Sequence, residues 1–248
     1  MKLIKAQTNG NDFIIMQLTN LSTDRINQIC DRHYGMGCDQ LIMYKQSSSN
    51  TFDLLFYNND GSLANMCGNG SCAFALFANK YIDKNLSKAY ISVNNIKYEI
   101  TTSNNKINIT FPMPYYIDNN KTICTGNYHR IYNIESINKV KEIQRKYPEC
   151  NIHFIQEQNN IENIDNAQEI QRKYPKCTRI QSSMVKVITY ERGAGRTLAC
   201  GSGAIAICFY LKQNIKIIHE GGISEVIFNE KNIKLITEPK IIAEVSLS

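Results

Sequence analysis

Residues 52–82 read FDLLFYNNDGSLANMCGNGSCAFALFANKYI, residues 185–215 read VKVITYERGAGRTLACGSGAIAICFYLKQNI, and the two stretches align without a gap at an offset of 133. In that register Tyr57 meets Tyr190, Cys67 meets Cys200, Gly68 and Gly70 meet Gly201 and Gly203, Ala73 meets Ala206, and Ile82 meets Ile215. Each copy runs strand, turn, Cys-Gly-x-Gly, apolar helix, and self-similarity of this kind marks a duplicated unit. A fainter match pairs GNDF at 10–13 with GNYH at 126–129, near the start of each half. Around these anchors LIKAQ, DFIIMQL, LIMYK, AYISV, IKYEI and KINITF are short apolar or alternating runs bounded by Asn, Gly and Asp, as strands are. A short helix is predicted over Asp24 to His33, opened by Ser22 and Thr23. The helix after Gly70 is apolar nearly all round, which suits one enclosed by sheet. The expectation is an α+β fold of two pseudo-symmetric domains, each a sheet wrapped around a central helix, with the active site in the cleft between them. The division falls near FPMPYYIDNN (111–120), giving 1–117 with Cys67 and 118–248 with Cys200.

A chain of 248 residues, 43% hydrophobic, can bury a core without staples. The net charge of +6 is spread among Asn and Ile and gathers into no basic arm, so nucleic acid is not an expected partner. Nine cysteines, an odd number with no CxxC pair, read as reduced thiols, and no metal site is expected from their spacing. No run of 18 apolar residues and no apolar leader occurs, so a membrane is not an expected partner and the cytoplasm is the expected location.

A second repeat is different in kind. EIQRKYPEC at 142–150 recurs as EIQRKYPKC at 169–177, within an inserted segment of about 157–182. It is polar and charged with no catalytic pattern, and is expected to be a surface helix ended by Pro175.

The two Cys-Gly-x-Gly turns carry the chemistry. Each opens an apolar helix, where unpaired backbone N–H groups and the positive end of the helix dipole meet, an arrangement that binds a carboxylate. The same field favours thiolate, so either sulfur is expected to fall below the free value of about 8.5. One such motif is as readily a buried structural cysteine; two in matching contexts aim two sulfurs at one cleft. Inverting an α-carbon takes a base on one face and an acid on the other, and two cysteines supply both. The two helix N-termini would hold the charge that develops on the carboxylate, without a carbonyl-binding cofactor.

With NGNDF (9–13), GMGCDQLI (35–42), YNNDGS (57–62), MCGNG (66–70), GNYH (126–129), ERGAG (191–195) and ACGSG (199–203) in order, the chain resembles the diaminopimelate epimerase family over nearly its whole length. The resemblance implies cofactor-independent interconversion of LL- and meso-2,6-diaminopimelate, in lysine and peptidoglycan biosynthesis. Cys67 and Cys200 would be the acid and base, exchanging roles with direction, and the backbone at Gly68, Asn69, Gly201 and Ser202 would hold the reacting carboxylate. Asn11, Asn58, Asn127, Asn151, Glu191 and Arg192 match the family's ligands for the distal amino-acid end, with Gln40 lining the site. Arg192 can take a carboxylate bidentately, Glu191 can pair an ammonium, and asparagine donates and accepts. His129 is either a satisfied structural histidine or a tuner of thiol protonation. The implied partner is a small diamino-dicarboxylic acid, and the family allows a homodimer.

The chain departs from the family's usual residues at Tyr128 (proline), Cys72 (arginine) and Glu238 (glycine). Those departures leave open a relative acting on another α-amino acid such as histidine or lanthionine. A third reading, a thiol redox switch built on the Cys67/Cys200 pair, belongs to another class and predicts no proton exchange at any amino acid.

Overall fold

A computed structural model of the chain describes residues 2–103, 106–119, 121–158 and 183–246. They form eighteen strands and four α-helices. The strands of the first half are β1 (Lys2–Thr8), β2 (Asn11–Gln17), β3 (Gln40–Ser48), β4 (Thr51–Asn58), β5 (Leu63–Ala64), β6 (Lys88–Val93), β7 (Ile96–Ser103) and β8 (Lys106–Pro112). Those of the second are β9 (Tyr115–Asp118), β10 (Thr122–Cys124), β11 (Tyr128–Asn133), β12 (Cys150–Gln158), β13 (Ser183–Glu191), β14 (Gly195–Thr197), β15 (Ile215–Ile218), β16 (Ile223–Phe228), β17 (Asn232–Thr237) and β18 (Lys240–Ser246). The helices are α1 (Thr23–Cys30), α2 (Gly68–Phe77), α3 (Val140–Lys146) and α4 (Gly201–Leu211).

Strand pairing repeats step for step. In the first half β18–β1 and β1–β2 are antiparallel, β2–β3 parallel, β3–β4 antiparallel, β4–β6 parallel, and β6–β7 and β7–β8 antiparallel. In the second, β9–β10 and β10–β11 are antiparallel, β11–β12 parallel, β12–β13 antiparallel, β13–β15 parallel, and β15–β16 and β16–β17 antiparallel. The halves join along β8–β17, and the last strand crosses back to complete the first half beside β1. Each half has two parallel steps, and each step needs a crossover. The helix α1 lies on the crossover from β2 to β3 and α3 on that from β11 to β12. The step from β4 to β6 is carried by α2, and that from β13 to β15 by α4.

Both central helices are enclosed by sheet. In α2 every residue but Leu76 is buried, and in α4 Gly201 to Cys208 are buried. Phe74 packs edge-on against Phe52 and tilted against Tyr44 and Phe77. Fully burying a phenylalanine contributes about 1.5–3 kcal/mol, so this aromatic cluster anchors α2 against β3 and β4. Lys212 ends α4 in the left-handed conformation at φ 52°, its N–H bonded to the Cys208 carbonyl. The α1 helix runs three residues short of the predicted His33, because Asp31 turns extended and its carboxylate takes the N–H groups of His33 and Tyr34.

The first EIQRKYP copy forms α3, which ends at Lys146 before Pro148. The second copy, with the predicted helix ended by Pro175, lies outside the described residues. Among the described residues no helix is long and apolar enough to cross a membrane.

Candidate active site

Cys67 and Cys200 occupy the same place in the two halves, each capping the helix that follows it. Their backbones are nearly superposable, at φ −134°, ψ 108° and φ −128°, ψ 111°. Each sulfur accepts the third free N–H of its helix, from Gly70 and from Gly203, at 3.3 Å in both cases. A sulfur replaces the usual Ser or Asp oxygen of a helix cap, so the cap itself fixes where the sulfur points.

The two helix starts touch. The Asn69 amide donates to the Ala199 carbonyl at 3.4 Å, and the Asn69 carbonyl accepts from Thr8 Oγ1 at 3.0 Å. A Cβ placed on Gly201 would lie 3.0 Å from the Asn69 nitrogen and 2.9 Å from its Oδ1, and one on Gly68 would lie 3.5 Å from the Gly201 backbone. The approach of one helix to the other therefore favours glycine at 201, while a Cβ at 68 would be in ordinary contact with the Gly201 backbone. The second glycine of each motif is required by the sheet behind: a Cβ on Gly70 would meet Phe56 at 2.8 Å, and one on Gly203 would meet the His153 ring at 2.2 Å.

One carboxylate faces both sulfurs. Burial pushes the Cys67 thiol up to about 12, and the Glu191 charge adds to the rise against the helix N–H groups of Gly70 and Asn69. Burial likewise raises Cys200 well above its ordinary value, again helped by Glu191, with Ser202 and the Gly203 N–H opposing. This corrects the expectation that the helix termini would bring either thiol below the free value. Stripping water from a thiolate costs more than two or three N–H dipoles return, and the nearest charge is negative. Glu191 is itself raised by burial, against hydrogen bonds from Thr197 and Cys200; Thr197 Oγ1 sits 2.7 Å from its carboxylate.

The remaining residues singled out in the sequence form a doublet under the same pseudo-symmetry. Asn11 opens β2 while Asn127 immediately precedes the matching β11. Gln40 and Asn151 lie beside Phe13 and His129 in the two parallel pairs. Asn58 and Glu191 end the matching strands β4 and β13. Asn11 donates to Asp39 at 2.8 Å and its carbonyl oxygen is 3.9 Å from the Cys67 sulfur. Gln40 donates to Asn58 at 2.8 Å, and its own carbonyl oxygen is buried with no partner. Asn58 donates to Ser62 and Asn127 to the Met66 carbonyl, which ties the second half to the residue before Cys67. Asn151 accepts the Arg192 N–H at 2.9 Å, so the backbone of that arginine is fixed while its exposed guanidinium pairs with Glu149. Ser202 Oγ is 3.5 Å from the Cys200 sulfur.

Several contributors were not singled out in the sequence. Asp39 holds Asn11 and, with Asp12, receives Arg32. Thr197 holds Glu191. His153 lies against Gly203 and is bonded to His129 Nδ1 through its Nε2 at 2.9 Å. The signal for His153 was its place two residues after Asn151 on one strand, which puts both on the same face. Burial drives the His129 imidazole down to about 3 and keeps it neutral.

The diaminopimelate epimerase family model matches residues 3–114. A diaminopimelate epimerase of Flavobacterium psychrophilum is 30% identical, over 94% of this chain and 92% of that protein. One of Campylobacter jejuni subsp. doylei is 30% identical over 97% and 96%, and one of Methanococcus maripaludis 28% over 84% and 82%. Among solved structures, a phenazine biosynthesis protein of the PhzF family from Bacillus anthracis matches with TM-score 0.69 at 12% identity, covering 100% of this chain and 99% of that one. A probable proline racemase from Agrobacterium radiobacter matches with TM-score 0.66 at 8% identity, covering 100% and 92%. These two show a shared two-halved fold.

Proposed function

The chain belongs to the diaminopimelate epimerase family, and from that premise we propose that it inverts one α-carbon of LL-2,6-diaminopimelate to give the meso isomer, with Cys67 and Cys200 as the two proton-transfer groups and no cofactor. The activity serves lysine and peptidoglycan biosynthesis. What carries the reading is the abutment of two cysteine-capped helix starts with one carboxylate facing both sulfurs.

In the forward direction one sulfur, as thiolate, takes the α-proton. The electron pair left on carbon moves into the carboxylate, whose developing charge the free N–H groups at Gly68, Asn69, Gly201 and Ser202 stabilise. The other sulfur, as thiol, delivers its proton to the opposite face, so one thiol and one thiolate have exchanged places. The raised thiols suit this division: burial keeps the acid partner protonated, and the α-ammonium of a bound amino acid offsets the cost of charging the other. Asn11, Asn58, Asn127, Asn151, Gln40, Glu191 and Arg192 take the distal amino acid, Glu191 meeting its ammonium and Arg192 its carboxylate.

The reduced protein, given LL-diaminopimelate in deuterated water with no additive, is expected to place deuterium at an α-carbon as meso product accumulates. Absence of exchange across the neutral and mildly alkaline range rejects the proposal. Exchange with histidine or lanthionine but not with diaminopimelate assigns the same chemistry to a different substrate.

A further inference from the structure

Behind Cys200 the fold assembles a polar cluster that has no equivalent behind Cys67. His129 of β11, His153 of β12 and Thr189 of β13 are buried side by side on neighbouring strands. His129 Nδ1 is 2.9 Å from His153 Nε2, and His153 Nδ1 is 3.0 Å from Thr189 Oγ1. One ring nitrogen of each histidine and the Cys200 sulfur all lie within 4.8 Å of one another. His129 Nε2 is buried without a hydrogen-bond partner. In the first half the same register positions hold Phe13, Ile42 and Phe56, and the two phenylalanines pack against Gly70. Two sulfurs that exchange roles in one reaction do not need two histidines behind only one of them, so the cluster calls for another explanation.

We infer that Cys200, His129 and His153 form a binding site for a thiophilic divalent cation, zinc in particular, and that occupancy of this site shuts the enzyme off by making one reacting sulfur a metal ligand. The donor set, one thiolate and two imidazoles with a fourth position left open, is a tetrahedral zinc set. Tetrahedral ligands at 2.0–2.1 Å for nitrogen and 2.3 Å for sulfur stand roughly 3.3–3.6 Å apart, so atoms that lie within 4.8 Å of one another need to close by at most about 1.5 Å. When His153 donates its Nδ1 proton to Thr189, the usual outer-shell arrangement, its Nε2 carries no proton and accepts from His129 Nδ1, and the cation takes that lone pair as the hydrogen bond between the rings opens. Binding releases the Cys200 thiol proton to solvent, and the thiolate together with the adjacent Glu191 balances the charge of the cation. The inhibitory half of this inference rests on the isomerase reading; the binding half does not.

Cobalt(II) is the probe, added to the full-length, reduced, chelator-treated protein. One equivalent is expected to bind with a thiolate-to-cobalt charge-transfer band in the near ultraviolet and visible bands of four-coordinate cobalt, both abolished by added zinc. His153→Gln, which retains an amide to face His129 and Thr189, is expected to lose these bands and to weaken zinc binding by about a hundredfold. Thr189→Val is expected to weaken binding by about tenfold through the unfixed ring. Cys67→Ser is expected to retain the bands, and Cys200→Ser to lose them. Zinc is expected to stop inversion by the unmodified protein and a chelator to restore it. The inference is overturned if the bands survive in Cys200→Ser or His153→Gln, if they vanish in Cys67→Ser, or if no stoichiometric binding occurs. Cobalt bands in a protein that exchanges no diaminopimelate proton would sink the isomerase reading and leave the metal site standing.

Discussion

Replacing Gly203 by alanine tests how the site is held, because the added methyl has a defined collision. Its carbon would sit 2.2 Å from His153 Cε1 and 2.7 Å from Nε2, whereas ordinary contact begins near 3.4 Å. The ring must retreat by about 1.2 Å, yet it is held by His129 on one side and Thr189 on the other, at 2.9 and 3.0 Å. Overpacking of this kind costs about 1–3 kcal/mol, and breaking one of the two hydrogen bonds adds about 1 kcal/mol. A loss of about 2–4 kcal/mol is therefore expected in urea unfolding of Gly203→Ala. Because the Gly203 N–H also holds the Cys200 sulfur, a shift approaching 1 Å is expected to lower kcat by about a hundredfold. The decisive measurement is the double-mutant cycle with His153→Ala, which removes the ring the methyl strikes. The double variant is expected to be more stable than the sum of the single losses requires, by about 1–3 kcal/mol. Additivity within about 0.5 kcal/mol would show that the methyl and the ring never meet, and would refute the packing of β12 on α4 described above.

Three further outcomes are expected. Cys67→Ser and Cys200→Ser should each lower the inversion rate by about a hundredfold to ten-thousandfold, and each should still exchange the α-proton of one stereoisomer without inverting it, the two variants preferring opposite stereoisomers by deuterium NMR; a single variant that inverts at near the unmodified rate would break the two-base scheme. Arg192→Ala, which touches neither sulfur, should raise KM for diaminopimelate by about ten- to a hundredfold with kcat largely kept, and an unchanged KM would remove Arg192 from the distal site. Burial lowers His129 to about 3, His219 to about 4, and His153 well below its ordinary value. The unfolded chain then binds protons below about pH 6.5 that the folded chain refuses, so stability is full above that pH and falls as pH drops toward the folded values. Going from pH 6.5 to 5 should cost about 2 kcal/mol per buried histidine, and a urea midpoint that stays level over this range contradicts their burial as neutral groups.

Much of the architecture was legible because it is written twice. The duplicated strand–turn–Cys-Gly-x-Gly–helix unit exposed the two-halved fold, and the helix starts needed no tertiary information, since a glycine-rich turn ahead of an apolar run leaves unpaired N–H groups wherever it occurs. The two candidate sulfurs were proposed from that pattern, and the candidate asparagines from motif context alone; taken singly each was as readily a turn residue. Asp39, Thr197, Thr189 and His153 carried no such mark. Their partners lie from 6 to 36 positions away along the chain, and only strand register brings them together.

The thiol chemistry separates the two sources most clearly. Sequence alone determined that each cysteine caps a buried helix and meets its dipole, because both effects are local and need only the residues on either side. Only the tertiary structure decided which way the thiols shift, since desolvation depends on everything packed around the sulfur and Glu191 reaches both of them through folding. The asymmetry between the halves, phenylalanines behind one sulfur and histidines behind the other, has the same origin: it lies across neighbouring strands, and register rather than residue order assembles it.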